Sequence, residues 1–146
     1  MEPSPQRKSR GERRNIDRAL RVLVADDDAD TVQTLTALLE LEGHVIRAVH
    51  SGAEVLPAVP SFRPDAIILD ISIPDLSGYA VAQAVRHSFT DMRRPLMIAI
   101  SGMWRQAGDR LVAQQVGFDH YLLKPCDPRE VVQLLDKLRE RGTKAP

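Results

Sequence analysis

The 146-residue sequence predicts an α/β fold, in which a five-stranded parallel sheet lies between two layers of helices. Two observations lead to this prediction. Five short apolar runs alternate with longer segments whose apolar residues recur at helical spacing, which is typical of βαβ units. The apolar runs contain almost no polar residues, as expected for strands that are covered on both faces. Right-handed crossovers between such strands give a doubly wound (βα)5 sandwich of three layers.

The predicted elements follow in order along the chain. Strands are expected at residues 22–25, 45–49, 66–69, 96–100 and 121–123. The first two helices are expected at residues 31–41, with Gly43 as the stop, and from Ser51 to Pro60, because proline disrupts a helix interior. A third helix passes through residues 79–85, a fourth covers residues 105–116, and a fifth begins at Pro128, where the first helical turn tolerates proline.

Length and composition exclude several classes of protein. The chain is long enough for one domain, and 43% hydrophobic residues supply a core. No apolar run approaches the roughly 18 residues of a membrane span, and the N-terminus lacks a secretory signal. Cys126 is the single cysteine, which excludes an intramolecular disulfide and a multi-cysteine zinc site. We therefore expect a cytoplasmic protein.

The charge is unevenly distributed, although 20 basic and 20 acidic residues cancel over the whole chain. Residues 1–21 contain seven basic and three acidic side chains and almost no apolar residue before Ile16. Such a segment buries too little surface to fold, so we predict a disordered basic tail over residues 1–20. A solubilising leader or the remnant of an interdomain linker is favoured over a nucleic-acid or partner arm, because aromatic residues are missing there. The folded domain is expected over residues 21–141, with a flexible C-terminus over 142–146.

Candidate site residues follow four of the five predicted strands, whereas the second ends near His50 and Ser51, which offer no charge of this kind. Asp26 and Asp27 come after the first, Asp70 after the third, Ser101 after the fourth and Lys124 after the fifth. Ligands of doubly wound sheets bind outside the carboxyl ends of the strands, so these side chains are expected to converge. Three carboxylates repel one another unless a divalent cation with oxygen ligands, such as Mg²⁺, binds them. One carboxylate is then able to attack phosphorus and form an aspartyl phosphate.

Four segments resemble the receiver domain of bacterial two-component response regulators. They are VLVADDD at 22–28, ILDISIPDLSG at 68–78, AISG at 99–102 and YLLKP at 121–125. They occur in the order and at the spacing of that family, and the resemblance covers residues 21–139. It implies a flavodoxin-like sheet with the strand order 2-1-3-4-5 and a phosphoacceptor of a phosphorelay, either stand-alone or of the hybrid-kinase type.

The resemblance also implies the residues of the site. Asp70 corresponds to the phosphoacceptor, and Lys124 to the lysine that pairs with the phosphoryl group. Asp26, Asp27, Asp70 and the backbone carbonyl of Ser72 correspond to the ligands of Mg²⁺ or Mn²⁺.

Further positions correspond to the switch and to the control of dephosphorylation. Ser101 matches the hydroxyl that contacts the phosphoryl group, and Tyr121 matches the aromatic switch residue. Ser72 and Met103 match positions that tune hydrolysis of the aspartyl phosphate. Because the apolar Met103 cannot orient a water by hydrogen bonding, we expect slow autodephosphorylation. The Lys124–Pro125 peptide is expected to be cis, which costs little before proline.

The implied partners are a histidine kinase or a histidine phosphotransfer protein, which supplies the phosphoryl group. An output protein is expected on the face formed by the fourth helix, fifth strand and fifth helix. The chain contains no recognisable DNA-binding domain, and we expect a phosphoacceptor rather than a turnover enzyme.

Two alternatives stay open. One is a receiver-like module that is never phosphorylated. The other is an aspartate-nucleophile phosphatase of the haloacid dehalogenase type, which needs a second aspartate where Ser72 stands.

Several other residues have more than one interpretation. Asp28 is expected to cap a helix rather than bind a metal. Cys126 is interpreted as a small, partly buried hydrophobe rather than a redox sensor. The four histidines lack metal-ligand spacing, so surface or structural roles are expected for them. Trp104 fits equally well a partner-docking residue and a cover for the core edge.

Overall fold

The structure is a computed structural model that describes residues 18–88, 94–102 and 107–144. Five strands alternate with five helices in these segments, as the sequence predicts. The strands are β1 (Arg21–Ala25), β2 (Val45–Val49), β3 (Ala66–Asp70), β4 (Leu96–Ser101) and β5 (His120–Leu123). The helices are α1 (Ala29–Leu41), α2 (Gly52–Phe62), α3 (Gly78–Ser88), α4 (Ala107–Val116) and α5 (Pro128–Lys144).

All five strands are parallel and lie in the order β2-β1-β3-β4-β5, which confirms the predicted topology. In the register of the three central strands, Val24 lies opposite Ile68, and Ile68 lies opposite Ile98. One consequence is that β1 and β3 end at nearly the same height, since Ala25 pairs with Leu69. The residues that follow these two strands are therefore neighbours at one edge of the sheet.

Alternate residues of the central strands point into two separate cores. The α1/α5 core contains Val22, Val24, Ile68 and Ile98 of the sheet, covered by α1 and α5. The α2–α4 core contains the intervening residues Leu23, Ile67, Leu69 and Met97, covered by α2, α3 and α4. The helices thus form one layer on each face, and the predicted three-layer sandwich is confirmed.

The prediction that all strands are covered on both faces is wrong for β2. This strand lies at one edge of the sheet, and Val45, Arg47 and Ala48 are exposed on it. Only β1 flanks it, so no further strand completes its second edge among the described residues. The apolar sequence of β2 is that of a strand, but its burial depends on its place in the sheet.

Helix α2 continues past Pro60, where the sequence predicts its end. Both Pro57 and Pro60 lie inside the helix, which extends to Phe62. Val59 and Phe62 are buried in the α2–α4 core, and this packing holds the last turn. The turn is closed by the Arg63 N–H, which donates to the Val59 carbonyl at 2.9 Å. Tertiary burial here outweighs the loss of two backbone donors to proline.

Both predicted domain boundaries differ from the ends of the folded elements. Leu20 was expected in the disordered tail, but it is fully buried in the α1/α5 core. Its carbonyl accepts from the Val45 N–H at 2.9 Å, so it extends the contact between β1 and β2. Helix α5 reaches Lys144, three residues beyond the predicted domain end. Residues 1–17 of the predicted tail lie outside the described segments. None of the described helices is both long and apolar enough to cross a bilayer.

Candidate functional site

The predicted site lies at the carboxyl edge of the sheet. Asp26 directly follows β1, Asp70 is the last residue of β3, and Ser101 is the last residue of β4. All three are almost completely buried, with 2%, 5% and 2% of their surface exposed. Lys124 follows β5, and its backbone N–H donates to the Ser101 carbonyl at 3.0 Å. The structure therefore brings together the four strand ends that the sequence singles out.

Three carboxylates meet at this edge. Single oxygens of Asp26, Asp27 and Asp70 all lie within 4.8 Å of one another. Asp26 and Asp70 are buried, whereas Asp27 is exposed and opens the cluster to solvent. An oxygen-only donor set of this kind suits a hard divalent cation such as Mg²⁺. The three predicted carboxylate ligands thus form one cluster.

Lys124 bridges the two buried carboxylates. Its Nζ lies 3.0 Å from Asp26 Oδ2 and 3.3 Å from Asp70 Oδ2. One ammonium among three carboxylates leaves two negative charges in the cluster. A divalent cation would neutralise that excess, and burial of the charges makes neutralisation more important.

The pKa values of this pair reflect burial and mutual contact. Burial raises the pKa of Asp26 above its ordinary value, against the lowering effect of the Asp28 N–H and of Lys124. Burial alone would lower the pKa of Lys124, but its contacts with Asp26 and Asp70 outweigh burial and raise that pKa. Lys124 therefore stays protonated, so it can pair with an anion at this edge.

The second oxygen of Asp70 is held by the loop that follows β3. Asp70 Oδ1 accepts from the Ser72 N–H at 3.0 Å, while Ser72 itself is exposed. The loop returns to the sheet at Gly78, whose N–H donates to the Ile71 carbonyl at 3.1 Å. A Cβ at Gly78 would lie 2.6 Å from Ile71 Cα, closer than packing allows. Glycine is therefore required where this loop enters α3.

The start of α2 supports the same loop, which the sequence did not indicate. The Gly52 N–H donates to the Pro74 carbonyl at 3.0 Å. A Cβ at Gly52 would collide with the Leu76 carbonyl. The helix is fixed there by a capping box, in which Ser51 and Glu54 exchange hydrogen bonds. Ser51 and Glu54 are a readable sequence signal for a helix start, but no sequence signal links Gly52 to residues 74–76.

His50 is a second neighbour of the site that the sequence analysis missed. Its Nδ1 lies 3.4 Å from the Asp26 carbonyl, at the end of β2. No site residue was predicted at this strand end, because His50 and Ser51 offer no carboxylate. Its position follows from the pairing of β2 with β1, which places His50 next to Asp26.

The switch and tuning positions differ in how far the structure describes them. Tyr121 lies on β5, half-buried, and packs against the α2–α4 core. The Lys124–Pro125 peptide is cis, as expected. Met103 and Trp104 lie outside the described residues, so the predictions for them stay predictions.

Asp28 and Cys126 take the roles that were expected of them. Asp28 is the N-cap of α1 and accepts from the Asp30 N–H at 3.1 Å and from Thr31 Oγ1 at 2.8 Å. The Thr31 hydrogen bond is the main reason that the pKa of Asp28 is lowered. Cys126 is partly buried against the α1/α5 core, and burial raises the pKa of its thiol. A protonated, packed thiol behaves as a small hydrophobe.

Comparison with known proteins agrees with this geometry. A family model described as the response regulator receiver domain matches residues 22–136, which is most of the chain. The chain therefore belongs to the receiver-domain family of response regulators. It is 38% identical over 126 residues to the transcriptional regulatory protein PrrA of Mycobacterium tuberculosis. It is also 30% identical over 123 residues to the response regulator MprA of Mycobacterium ulcerans.

These alignments cover 86% and 84% of the chain but only 52% and 51% of PrrA and MprA. The chain thus spans about half the length of the curated relatives it matches.

Solved receiver domains have the same fold. The receiver domain of the Francisella response regulator 1452 is 25% identical and superposes with a TM-score of 0.76, covering 84% of this chain and 98% of that domain. The receiver domain of a sensor histidine kinase from Pseudomonas aeruginosa is 27% identical, with a TM-score of 0.73 over 84% of this chain and 99% of that domain. That domain was solved with a magnesium ion coordinated in its active-site cleft.

Proposed function

We propose that Asp70 is the phosphoacceptor of this receiver domain and that a histidine kinase or a histidine phosphotransfer protein supplies the phosphoryl group. The observation that carries the proposal is the setting of the Asp70 carboxylate. Its Oδ1 is held by the Ser72 N–H at 3.0 Å, and its Oδ2 by Lys124 Nζ at 3.3 Å. A buried carboxylate fixed at both oxygens is positioned to act as a nucleophile with little loss of freedom.

The transfer needs one bond to form and one to break. An oxygen of Asp70 attacks the phosphorus of a phosphohistidine, the P–N bond breaks, and the electron pair returns to the imidazole. Lys124, already beside Asp70, can pair with a phosphoryl oxygen, and the Ser101 hydroxyl at the end of β4 can donate to another. Both groups act on charge that the transfer brings into the site, which is where positioned donors are most effective.

The chain's own residues fit a divalent cation, Mg²⁺ or Mn²⁺, at this edge. Asp26, Asp27 and Asp70 would hold it, with the Ser72 carbonyl as the further proposed ligand. When bound, the ion neutralises the excess carboxylate charge and a phosphoryl oxygen. The oxygen-only donors and the two uncompensated negative charges support this assignment.

The consequence of phosphorylation is proposed to be a change at the face formed by α4, β5 and α5. Ser101 and Tyr121 are the proposed switch residues on β4 and β5. Leu111, Val112 and Leu123 are exposed on α4 and β5, so this face offers apolar side chains to a partner. The output partner would bind there.

A phosphoacceptor is favoured over a turnover phosphatase. The phosphatase alternative needs a general acid two residues after the nucleophile, and Ser72 offers no carboxylate. Control of the aspartyl-phosphate lifetime by Ser72 and Met103, and a cytoplasmic location, remain sequence-based predictions.

Intact-mass measurement tests the proposal. The protein is incubated with Mg²⁺ and acetyl phosphate, and we expect one phosphate-sized mass increase. Asp70→Asn and omission of Mg²⁺ should each abolish the increase. Asp75→Asn is the matched control, because Asp75 lies in the same loop but is exposed and outside the carboxylate cluster; it should be phosphorylated like the wild type.

The alternative of an unphosphorylated module predicts a different result. Such a module would show no mass increase and would bind no beryllofluoride, a mimic of the phosphoryl group. A domain that accepts phosphate only from its cognate kinase would still bind beryllofluoride. Phosphorylation of the Asp70→Asn variant to the wild-type level would contradict Asp70 as the acceptor.

A further inference from the structure

A cavity lies at the opposite edge of the sheet from Asp70. Its volume is about 940 Å³, and its walls include the C-terminal part of α2, the end of α3 and the residues that precede β1, β3 and β4. With strands of about five residues, this edge is roughly 16 Å from the carboxyl edge. A cavity of this size is within the usual range for small-molecule sites. It shares no lining residue with the carboxylate cluster.

The charged lining of this cavity is mainly basic. Arg18, Arg63 and Arg94 line it, and Asp65 is the acidic residue among them. Arg94 is already paired with Asp119 at 2.8 Å. Arg18 and Arg63 form no ion pair with any of the described carboxylates. Within the described part of the chain, two guanidiniums at the cavity are therefore without an ion-pair partner.

Arg18 provides the most specific evidence for a bound ligand in this cavity. Its Nε is buried and has no hydrogen-bond partner within the described segments. A buried donor without an acceptor is unfavourable by about 1–3 kcal/mol, so native structures seldom leave one unexplained. Asp65 does not supply the acceptor: Arg18 Nε forms no hydrogen bond with it, and its Oδ2 accepts from the Arg21 N–H at 2.8 Å. An acceptor from a bound ligand would satisfy Arg18.

Two further guanidiniums contact Phe62, the residue that precedes Arg63, although neither lines the cavity. Arg21 and Arg47 lie over the ring of Phe62, at 4.3 and 4.9 Å from its centre. The Arg21 Nε also donates to the Phe62 carbonyl at 2.7 Å. The cation–π contacts hold these side chains in place, but they do not neutralise them. Arg21 and Arg47 thus add positive charge beside the last residue of α2.

We propose that this cavity binds a small organic phosphate. Arg18 and Arg63 would pair with the phosphate group, since the planar guanidinium donates two parallel hydrogen bonds to phosphate oxygens. The apolar part of the ligand would contact Leu56, Val59 and Leu138, which form the apolar side of the cavity.

Titration with adenosine monophosphate as the probe tests this inference. The full-length protein is kept in EDTA so that no divalent ion links the probe to the carboxylates, and binding is followed by amide chemical shifts. We expect saturable shifts at Ala84, Val85 and Leu138, which line the cavity. Inorganic phosphate and adenosine, which represent the two halves of the probe, should each bind about tenfold more weakly.

Variants connect binding to the two arginines. Arg18→Gln and Arg63→Gln should each lower the affinity for adenosine monophosphate by about tenfold, which corresponds to one lost charge-assisted contact. Arg129→Gln is the control, since Arg129 is exposed, pairs with Asp127 and does not line the cavity. It should change the affinity less than about twofold. The amide spectrum of each variant reports whether the fold is retained.

Three outcomes would overturn the inference. They are no saturable binding up to about 5 mM probe, equal binding by the wild type and both arginine variants, and shifts confined to residues around Asp70. Asp70→Asn should leave the binding unchanged. The result is therefore distinguishable from a failure of the proposed phosphoacceptor role.

Discussion

His44 shows how one residue links burial to pH-dependent stability. It is buried beside Arg139, whose Nη2 lies 2.9 Å from His44 Nε2 and donates to the Glu42 carbonyl at 2.8 Å. The Leu20 N–H also approaches His44 Nδ1 at 3.3 Å, which favours a neutral ring with an acceptor nitrogen. Burial, and then the charge of Arg139, lower the pKa of His44 to about 4. A structural role, as expected from the sequence, is thus confirmed for this histidine.

We expect His44 to make the protein acid-sensitive. The unfolded chain takes up the proton near the ordinary pKa of 6.5, whereas the folded protein takes it up only near 4. The contribution of His44 to the free energy of unfolding is therefore complete above pH 6.5 and is lost as the pH drops from 6.5 to 4, by about 2–3 kcal/mol at pH 4.5. Urea unfolding of wild type and His44→Gln at pH 7 and 4.5 measures this loss as a difference between the two proteins.

The matched control for this measurement is His87→Gln on the exposed side of α3. It should leave the pH dependence of the wild type unchanged. An equal pH dependence in wild type and His44→Gln would show that the His44–Arg139 contact does not control acid stability.

At the scale of elements, α2 connects the α2–α4 core to the loop that follows β3. Its buried residues pack in the α2–α4 core, and its first residue, Gly52, contacts the loop that follows β3. The same loop supplies the Ser72 N–H to Asp70. A substitution at the start of α2 is therefore expected to change the geometry around Asp70, although it alters no charged group.

Gly52→Ala tests this connection. The added methyl group would collide with the Leu76 carbonyl, so either the loop or the helix must shift. We expect a destabilisation of about 2 kcal/mol or more, as for other cases of overpacking, together with slower phosphorylation of Asp70 by acetyl phosphate. Gly102→Ala is a suitable control for stability, because its methyl group would meet only Lys124 Cβ at 3.7 Å. Normal stability and phosphorylation of Gly52→Ala would contradict the proposed support of the loop.

At the scale of the whole molecule, the central strands β1 and β3 determine both cores and the site. Their residues alternate between the α1/α5 core and the α2–α4 core, and their ends carry Asp26 and Asp70. Leu20 extends this arrangement toward the N-terminus, where it closes the α1/α5 core beside His44. The folded unit thus begins before β1, inside the predicted tail.

Two variants locate this boundary. Removing residues 1–17 should change the free energy of unfolding by less than about 0.5 kcal/mol, since polar basic segments contribute little burial. Leu20→Ala in the shortened chain should cost about 2–4 kcal/mol, because it leaves a cavity in a fully buried position. Urea unfolding measures both. A cost below about 1 kcal/mol for Leu20→Ala would indicate that the domain begins at Arg21.

The sequence by itself determined the order of strands and helices and the residues that form the carboxylate cluster. Apolar runs and helical periods are local patterns, and each candidate residue follows directly on a strand. Because parallel strands end at one edge, the meeting of Asp26, Asp70, Ser101 and Lys124 follows from topology alone. The strand order itself came from the family resemblance, and the structure confirms it.

The tertiary structure alone decided the features that depend on contacts between distant residues. The continuation of α2 past Pro60, the exposure of β2, and the burial of Leu20 depend on which surfaces pack together. The contact of Gly52 with the loop that follows β3 is between residues more than 20 positions apart. The basic cavity gathers arginines from three separate segments of the chain. Local patterns cannot specify such features, because burial and long-range contacts are properties of the packed molecule and not of any one segment.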